Sequence, residues 1–254
     1  MENGVIFNIT TIMKTRFSAM VFGGLLAAGI AFGQMPQFVP EWQSVQINQT
    51  VEPVFPPRLM QIGVTEGMVR VAINTDAQGK LVEMLVVGYT RPEFADATVA
   101  AIKQWQFGPA RLRGDAVGTT VELLFQFEAR GVVVSTCSFN DVVEKRVNDI
   151  IGVHYVYQPC SLAELDRIPT PIVAAKPQYP AELAEKGVKG NVTVEFYIDE
   201  TGAIRVPAVS LKDDSQLSAL AVTALRQWKF EPPTRNGRPV LVRASQLFNF
   251  GPGS

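Results

Sequence analysis

Two cysteines, Cys137 and Cys160, and a single histidine, His154, are the side chains in this chain best suited to covalent or metal chemistry. In an exported protein an even cysteine count favours a bridge, and closing such a loop would stabilise its surroundings by roughly 3 kcal/mol. Two separate buried thiols are the alternative. One histidine is too few for the common zinc ligand sets, so no metal site is expected and His154 is read as a hydrogen-bonded or exposed side chain. A serine-histidine-carboxylate set could draw only on His154, and no glycine-rich phosphate loop is present. The prominent aspartates have other work. Asp76-Ala77-Gln78-Gly79 and Asp199-Glu200-Thr201-Gly202 carry turn chemistry, and Asp213-Asp214 suits the start of a helix, where negative charge meets the helix dipole. Neither an enzyme nor a cofactor is expected.

Charge excludes two further classes of partner. The net charge is −1, with 23 basic and 24 acidic residues, so the clustered positive field needed for nucleic acid or anionic lipid is absent. At the N-terminus Lys14 and Arg16 precede the uncharged run Phe17–Gly33, and Ala31-Phe32-Gly33 before Gln34 supplies small residues suited to a signal peptidase. Residues 1–33 therefore read as a signal peptide or an N-terminal membrane anchor, with Met13 as an alternative start.

The elements that position these residues are written twice. Placing Trp228 on Trp105 brings Leu217 onto Phe94, Phe230 onto Phe107, Pro232 onto Pro109, Gly190 onto Gly67, Asp199 onto Asp76, Gly202 onto Gly79, and Phe248 and Phe250 onto Phe125 and Phe127. Tyr179-Pro180 meets Phe55-Pro56 after a one-residue slip. Each copy, of roughly 80 residues, can hold one modest core. Leu217, Leu220, Ala221, Ala224, Leu225 and Trp228 form a helical stripe, repeated by Phe94, Ala97, Thr98, Ala101, Ile102 and Trp105. Val192, Val194, Phe196 and Ile198 alternate with polar residues, as do Val69, Val71 and Ile73, which predicts strands with one buried face. Short helices are expected over Pro57–Ile62 and Pro180–Lys186, ended by Gly63 and Gly187. The expected fold is α+β: two tandem small units, each helix-strand-strand-helix-strand, with a three-stranded antiparallel sheet packed on helices.

The order Tyr179, Pro180, Gly190, Asp199, Gly202, Trp228, Phe230, Pro232 and an aromatic last strand resembles the C-terminal domain of TonB energy transducers, the second copy more strongly than the first. The resemblance implies a periplasmic, cell-envelope protein of transmembrane transport that binds an extended peptide of an outer-membrane TonB-dependent transporter by strand addition to its last strand. Carried onto this chain, that edge is Val240, Leu241, Val242, Arg243, Ala244, Ser245, Gln246, Leu247, Phe248, Asn249 and Phe250. The resemblance also implies inner-membrane, proton-driven motor proteins as partners, but Phe17–Gly33 lacks the histidine through which such motors act. The linker is short, reaching less than about 70 Å even when fully extended. A structural or scaffolding protein of the envelope without motor coupling is thus the alternative. The expected organisation is residues 1–33 as signal or anchor, 34–52 as a short extended linker, 53–130 as the first, divergent TonB-like unit, 131–168 as a connector and 169–254 as the second unit. In the connector, helices are expected over Asp141–Ile151 and at Ser161-Leu162-Ala163-Glu164, which has capping-box spacing.

Overall fold

The computed structural model describes residues 41–129, 131–138, 154–209 and 215–251. The segment read as signal or anchor, the helix expected over Asp141–Ile151 and the pair Asp213-Asp214 lie outside them.

The chain is ordered earlier than a linker over 34–52 would be. Strand β1 (Trp42–Gln43) and strand β2 (Gln46–Gln49) lead into helix α1 (Pro57–Gln61), which begins behind Pro56 and stops before Gly63 at φ 78°. Strands β3 (Glu66–Thr75) and β4 (Leu81–Tyr89) form a hairpin around Asp76, whose Oδ1 accepts from the N–H groups of Gln78 and Lys80. Helix α2 (Pro92–Ile102) buries Phe94, Thr98, Ala101 and Ile102, and it ends before Trp105 rather than running through it. Strands β5 (Gln106–Gly108), β6 (Ala110–Leu112) and β7 (Asp115–Val117) precede the long β8 (Thr119–Glu128). β1 pairs with β6, and β2 pairs with β5. The first sheet then departs from the expected three strands. Gly131–Ser138, read from sequence as the start of a connector, form β9, and the order is β4-β3-β8-β9, antiparallel throughout.

The second unit repeats the plan. A single 3-10 turn at Leu162–Glu164, closed as a capping box with Ser161, precedes strand β10 (Pro171–Val173) and helix α3 (Ala181–Glu185). Strands β11 (Gly190–Ile198) and β12 (Ile204–Val209) form the hairpin, followed by helix α4 (Ser215–Leu225). Strands β13 (Lys229–Phe230), β14 (Thr234–Arg235), β15 (Arg238–Pro239) and β16 (Val242–Phe250) complete it, with main-sheet order β12-β11-β16. In each copy a glycine opens the first long strand because a helix side chain rests on it. A Cβ at Gly67 would stand 2.0 Å from the Phe94 ring, and one at Gly190 would stand 2.9 Å from Leu217 Cδ1.

Helix-facing residues make one core per unit: Val69, Val71, Ile73, Phe94, Ile102 and Phe125 in the first, Val192, Val194, Phe196, Leu217, Leu225 and Phe248 in the second. The expectation of one buried face per strand fails, because a third cluster joins the units. Ala72 and Val87 meet Tyr197, Val206 and Leu241, so the sheet faces turned away from the helices are covered too. Arg70 and Glu122 are buried on this side as an ion pair, and the Arg70 guanidinium lies 5.9 Å from the centre of the Tyr155 ring. At the join Glu83 Oε1 accepts from Arg205 Nε at 2.7 Å, and Glu83 Oε2 accepts from the Val206 N–H at 3.1 Å. Val206 is β-branched yet sits at φ 46°, in a bulge that leaves Val206 and Pro207 opposite Phe196. Such backbone costs on the order of 1–3 kcal/mol and persists only when its surroundings hold it. Tyr157 adds a second tie, stacking on Tyr89 at 5.1 Å and donating its hydroxyl to Glu200 at 2.7 Å.

Two stability outcomes follow from these contacts. Glu83→Ala removes the acceptor of the Val206 N–H and the main ion-pair partner of Arg205, which keeps Asp199 and the Met84 carbonyl, and it should lower stability by about 1–3 kcal/mol and split urea unfolding into two transitions. Gly67→Ala should cost on the order of 2 kcal/mol or more, and Gly190→Ala distinctly less because the Leu217 tip can move; equal losses in urea titrations would contradict this packing.

Candidate functional site

The strand nominated as an edge begins slightly later than expected. Val240 donates its N–H to Pro233 O ahead of the strand, Leu241 is buried in the inter-unit cluster, and β16 proper starts at Val242. From there it pairs antiparallel with β11 on one side, Val242 opposite Ile198 through Phe250 opposite Gly190. Ala244, Phe248 and Phe250 face the helix-side core, while Ser245, Leu247 and Asn249 are exposed. Arg243 pairs with Glu195 across the ladder. On the outer side the start is met by a parallel bridge from Cys160 to Val242 and by the Cys160 N–H donating to Leu241 O at 2.7 Å. Among the described residues no strand lies against β16 from Ala244 to Phe250.

The corresponding strand of the first copy is occupied. β9 runs antiparallel along β8 from Glu128 opposite Gly131 to Val121 opposite Ser138, with Val132 opposite Phe127 and Val134 opposite Phe125. Both valines are buried against the helix-side core, and with Thr50–Pro53 and Trp105 they line one narrow pocket.

Each tryptophan clamps the segment that follows the leading strand of its unit. Trp105 Nε1 donates to Val51 O and Trp228 Nε1 donates to Ala175 O, both at 2.8 Å. β2 lies on β5 with Ile47 opposite Phe107, and β10 lies on β13 with Pro171 opposite Phe230. These leading strands are invisible as periodicity because each is too short to alternate.

The remaining motif residues are structural supports. The Tyr179 hydroxyl donates to Val188 O, closing the loop between α3 and β11, and Pro180 caps α3. A Cβ at Gly202, which sits at φ 81°, would stand 2.0 Å from Phe230 O, and Pro232 is exposed at the end of β13. Asp199 Oδ1 accepts from the N–H groups of Thr201 and Ala203, both at 3.0 Å, and Arg205 Nη1 lies 3.4 Å from Oδ2. Burial alone would raise this carboxyl, but the bonds from Thr201, Ala203 and Arg205 outweigh it and hold Asp199 below its ordinary range.

The expected Cys137–Cys160 bridge is not formed. Cys160 is a free, buried thiol held beside β16, whereas Cys137 is fixed on β9 opposite Glu122, so the two backbones belong to different sheets. Burial, with Glu164 nearby, pushes the Cys160 thiol up and away from reactive thiolate. His154 is exposed, and among the described residues no group of three or more histidine, cysteine, aspartate or glutamate side chains could hold a metal. Nor is any described helix long and apolar enough to cross a membrane.

Two segments of the chain, residues 51–129 and 175–252, match the family described as Gram-negative bacterial TonB protein C-terminal. The chain belongs to the TonB C-terminal family. Both copies are members, and the matched segments hold the helices and the three main-sheet strands of each unit, β3, β4 and β8 in the first and β11, β12 and β16 in the second, with β1, β2, β9 and β10 outside them. The chain is similar to Protein TonB of Vibrio cholerae, 33% identical over 69 residues, which are 27% of this chain and 28% of that protein. It thus spans little more than a quarter of that relative's length. It is also similar to the solution NMR structure of the Pseudomonas aeruginosa TonB CTD, with 27% identity over 37% of this chain and 95% of that one and a TM-score of 0.32.

The lowered Asp199 carboxyl fixes a sign for pH dependence. Its stabilisation is complete above the unfolded value of about 4 and is lost as pH falls through the lower folded value. Asp199→Asn should therefore be less stable than the parent at pH 7, with the gap closing below about pH 4; a constant gap in acid titrations of stability would refute this.

Proposed function

We propose that the protein acts in TonB-type transport across the envelope of a double-membraned bacterium, its second unit gripping an extended peptide of an outer-membrane transporter by strand addition to β16. The observation that supports this is the asymmetry of the two copies. One plan is closed by β9, and the other leaves its corresponding strand without a described partner from Ala244 to Phe250. An extended peptide there would satisfy the outward N–H and C=O groups of β16 that meet no described strand, and its alternate side chains would fall on the helix-side core. Backbone pairing carries the affinity, so no single side chain of β16 is indispensable.

The first unit has a supporting role in this reading. Its last-strand position at β8 already carries β9, and its sheet is joined to the second through Glu83, Arg205 and Tyr157, so it holds the open unit rather than duplicating its activity. The site of action is the periplasm. No catalytic step, cofactor or nucleic acid enters the proposal.

Titration of the isotope-labelled full chain with peptides copied from the N-terminal extensions of outer-membrane transporters should move amide signals along residues 244–250 and leave those of β8 in place. No movement along β16 at millimolar peptide would remove the reading.

A further inference from the structure

The duplication places a filled and an unfilled version of one groove in the same molecule. In the first unit the groove floor is β8, its wall is the segment Thr50–Pro53 pinned by the Trp105 indole, and its occupant is β9. Val132 and Val134, 6% and 7% exposed, are two residues apart and therefore project from one face of the strand onto the helix-side core. In the second unit every wall has its counterpart. β16 replaces β8, Trp228 replaces Trp105, and Ala174–Pro177 replace Thr50–Pro53, with the Trp228 indole donating to Ala175 O as Trp105 does to Val51 O.

The difference between the copies lies in burial. Trp105 is 7% exposed beneath β9, whereas Trp228 is only partly buried. Pro53 is buried while its counterpart Pro177 is partly buried, and Thr50 is partly buried while Ala174 is exposed. These are the positions that line the pocket with the two valines in the first unit. They are more open in the second, as a groove lacking its occupant requires.

We propose that Trp228 and the Ala174–Pro177 segment form the specificity wall of the β16 edge, and that this wall selects an extended peptide carrying two β-branched apolar residues separated by one residue. β9 is the internal example of such a ligand. The proposal rests on β16 accepting a strand, and it adds which side chains that strand must carry. A branched side chain at each of the two positions fills the width between aromatic floor and wall without rotamer loss, while a serine or aspartate there would be desolvated against Trp228 and Phe248 without a partner. The two-residue spacing holds whichever way the peptide runs, because side chains alternate in either direction.

The test uses the full chain labelled with 5-fluorotryptophan and a synthetic peptide of residues 131–138 with serine at the Cys137 position. This peptide should shift the Trp228 fluorine line and the β16 amides while the Trp105 line stays. Replacing the residues equivalent to Val132 and Val134 by serine should weaken binding about tenfold or more, whereas replacing only the residue between them should leave affinity within about twofold. If all three peptides move β16 with equal affinity, the wall is not selective and the inference falls while strand addition survives. If the valine preference appears without movement of the Trp228 line, the wall is misassigned and the inference falls likewise. A shift of Trp105 in place of Trp228 would mean displacement of β9 and would also overturn it. If neither these peptides nor transporter peptides move β16, strand addition itself fails.

Discussion

A strand at the margin of a sheet carries N–H and C=O groups that must find partners in water, in another strand or in another molecule. The organisation of both units follows from how each margin is met. β4 is bridged at Tyr89 by Tyr157, β8 is covered by β9, and among the described residues the outer side of β16 is met at Val242 by Cys160. Two copies of one plan therefore end in different states: the last strand of the first carries a further strand of the same chain, and the last strand of the second has a run of backbone open among the described residues.

The second constraint is that a three- or four-stranded sheet with helices on one side still has another face to cover. Here each unit covers the other. Ala72, Val87, Tyr197, Val206 and Leu241 remove that surface from water, and Glu83 supplies the polar contacts that the strained Val206 bulge requires. A carboxylate in the first copy thereby holds the backbone of the second. Arg70 and Glu122, charged residues on a strand pair, are buried because each neutralises the other, with the Tyr155 ring of the connector over the guanidinium.

Much of this was readable from residue types. The turn aspartates Asp76 and Asp199, the helix stripes as far as Ile102 and Leu225 though not on to the tryptophans, the stop at Gly63 and Gly187, and the alternation of β11 all act through interactions within a few residues, which pattern reports directly. The misses are long-range. Val132-Val133-Val134 has strand-forming residues, yet nothing in it names β8 as its partner. The thiols were paired by count and compartment, but a bridge depends on backbone separation and direction, which spacing along the chain does not encode. Tyr197 sat on the nominally polar face of β11 and is fully buried, because the covering surface comes from the other copy.

Residue order alone settles the duplication, the sequence of the main helices and strands within each copy, and which face of the main strands packs on the helices, because these depend on local periodicity and on register between repeats. Three-dimensional packing settles which margin is closed, which cysteine lies beside which sheet, and how the two sheets cover each other. Hydrogen bonding between strands runs sideways to the chain, and side-chain alternation carries no information about the neighbour in that direction.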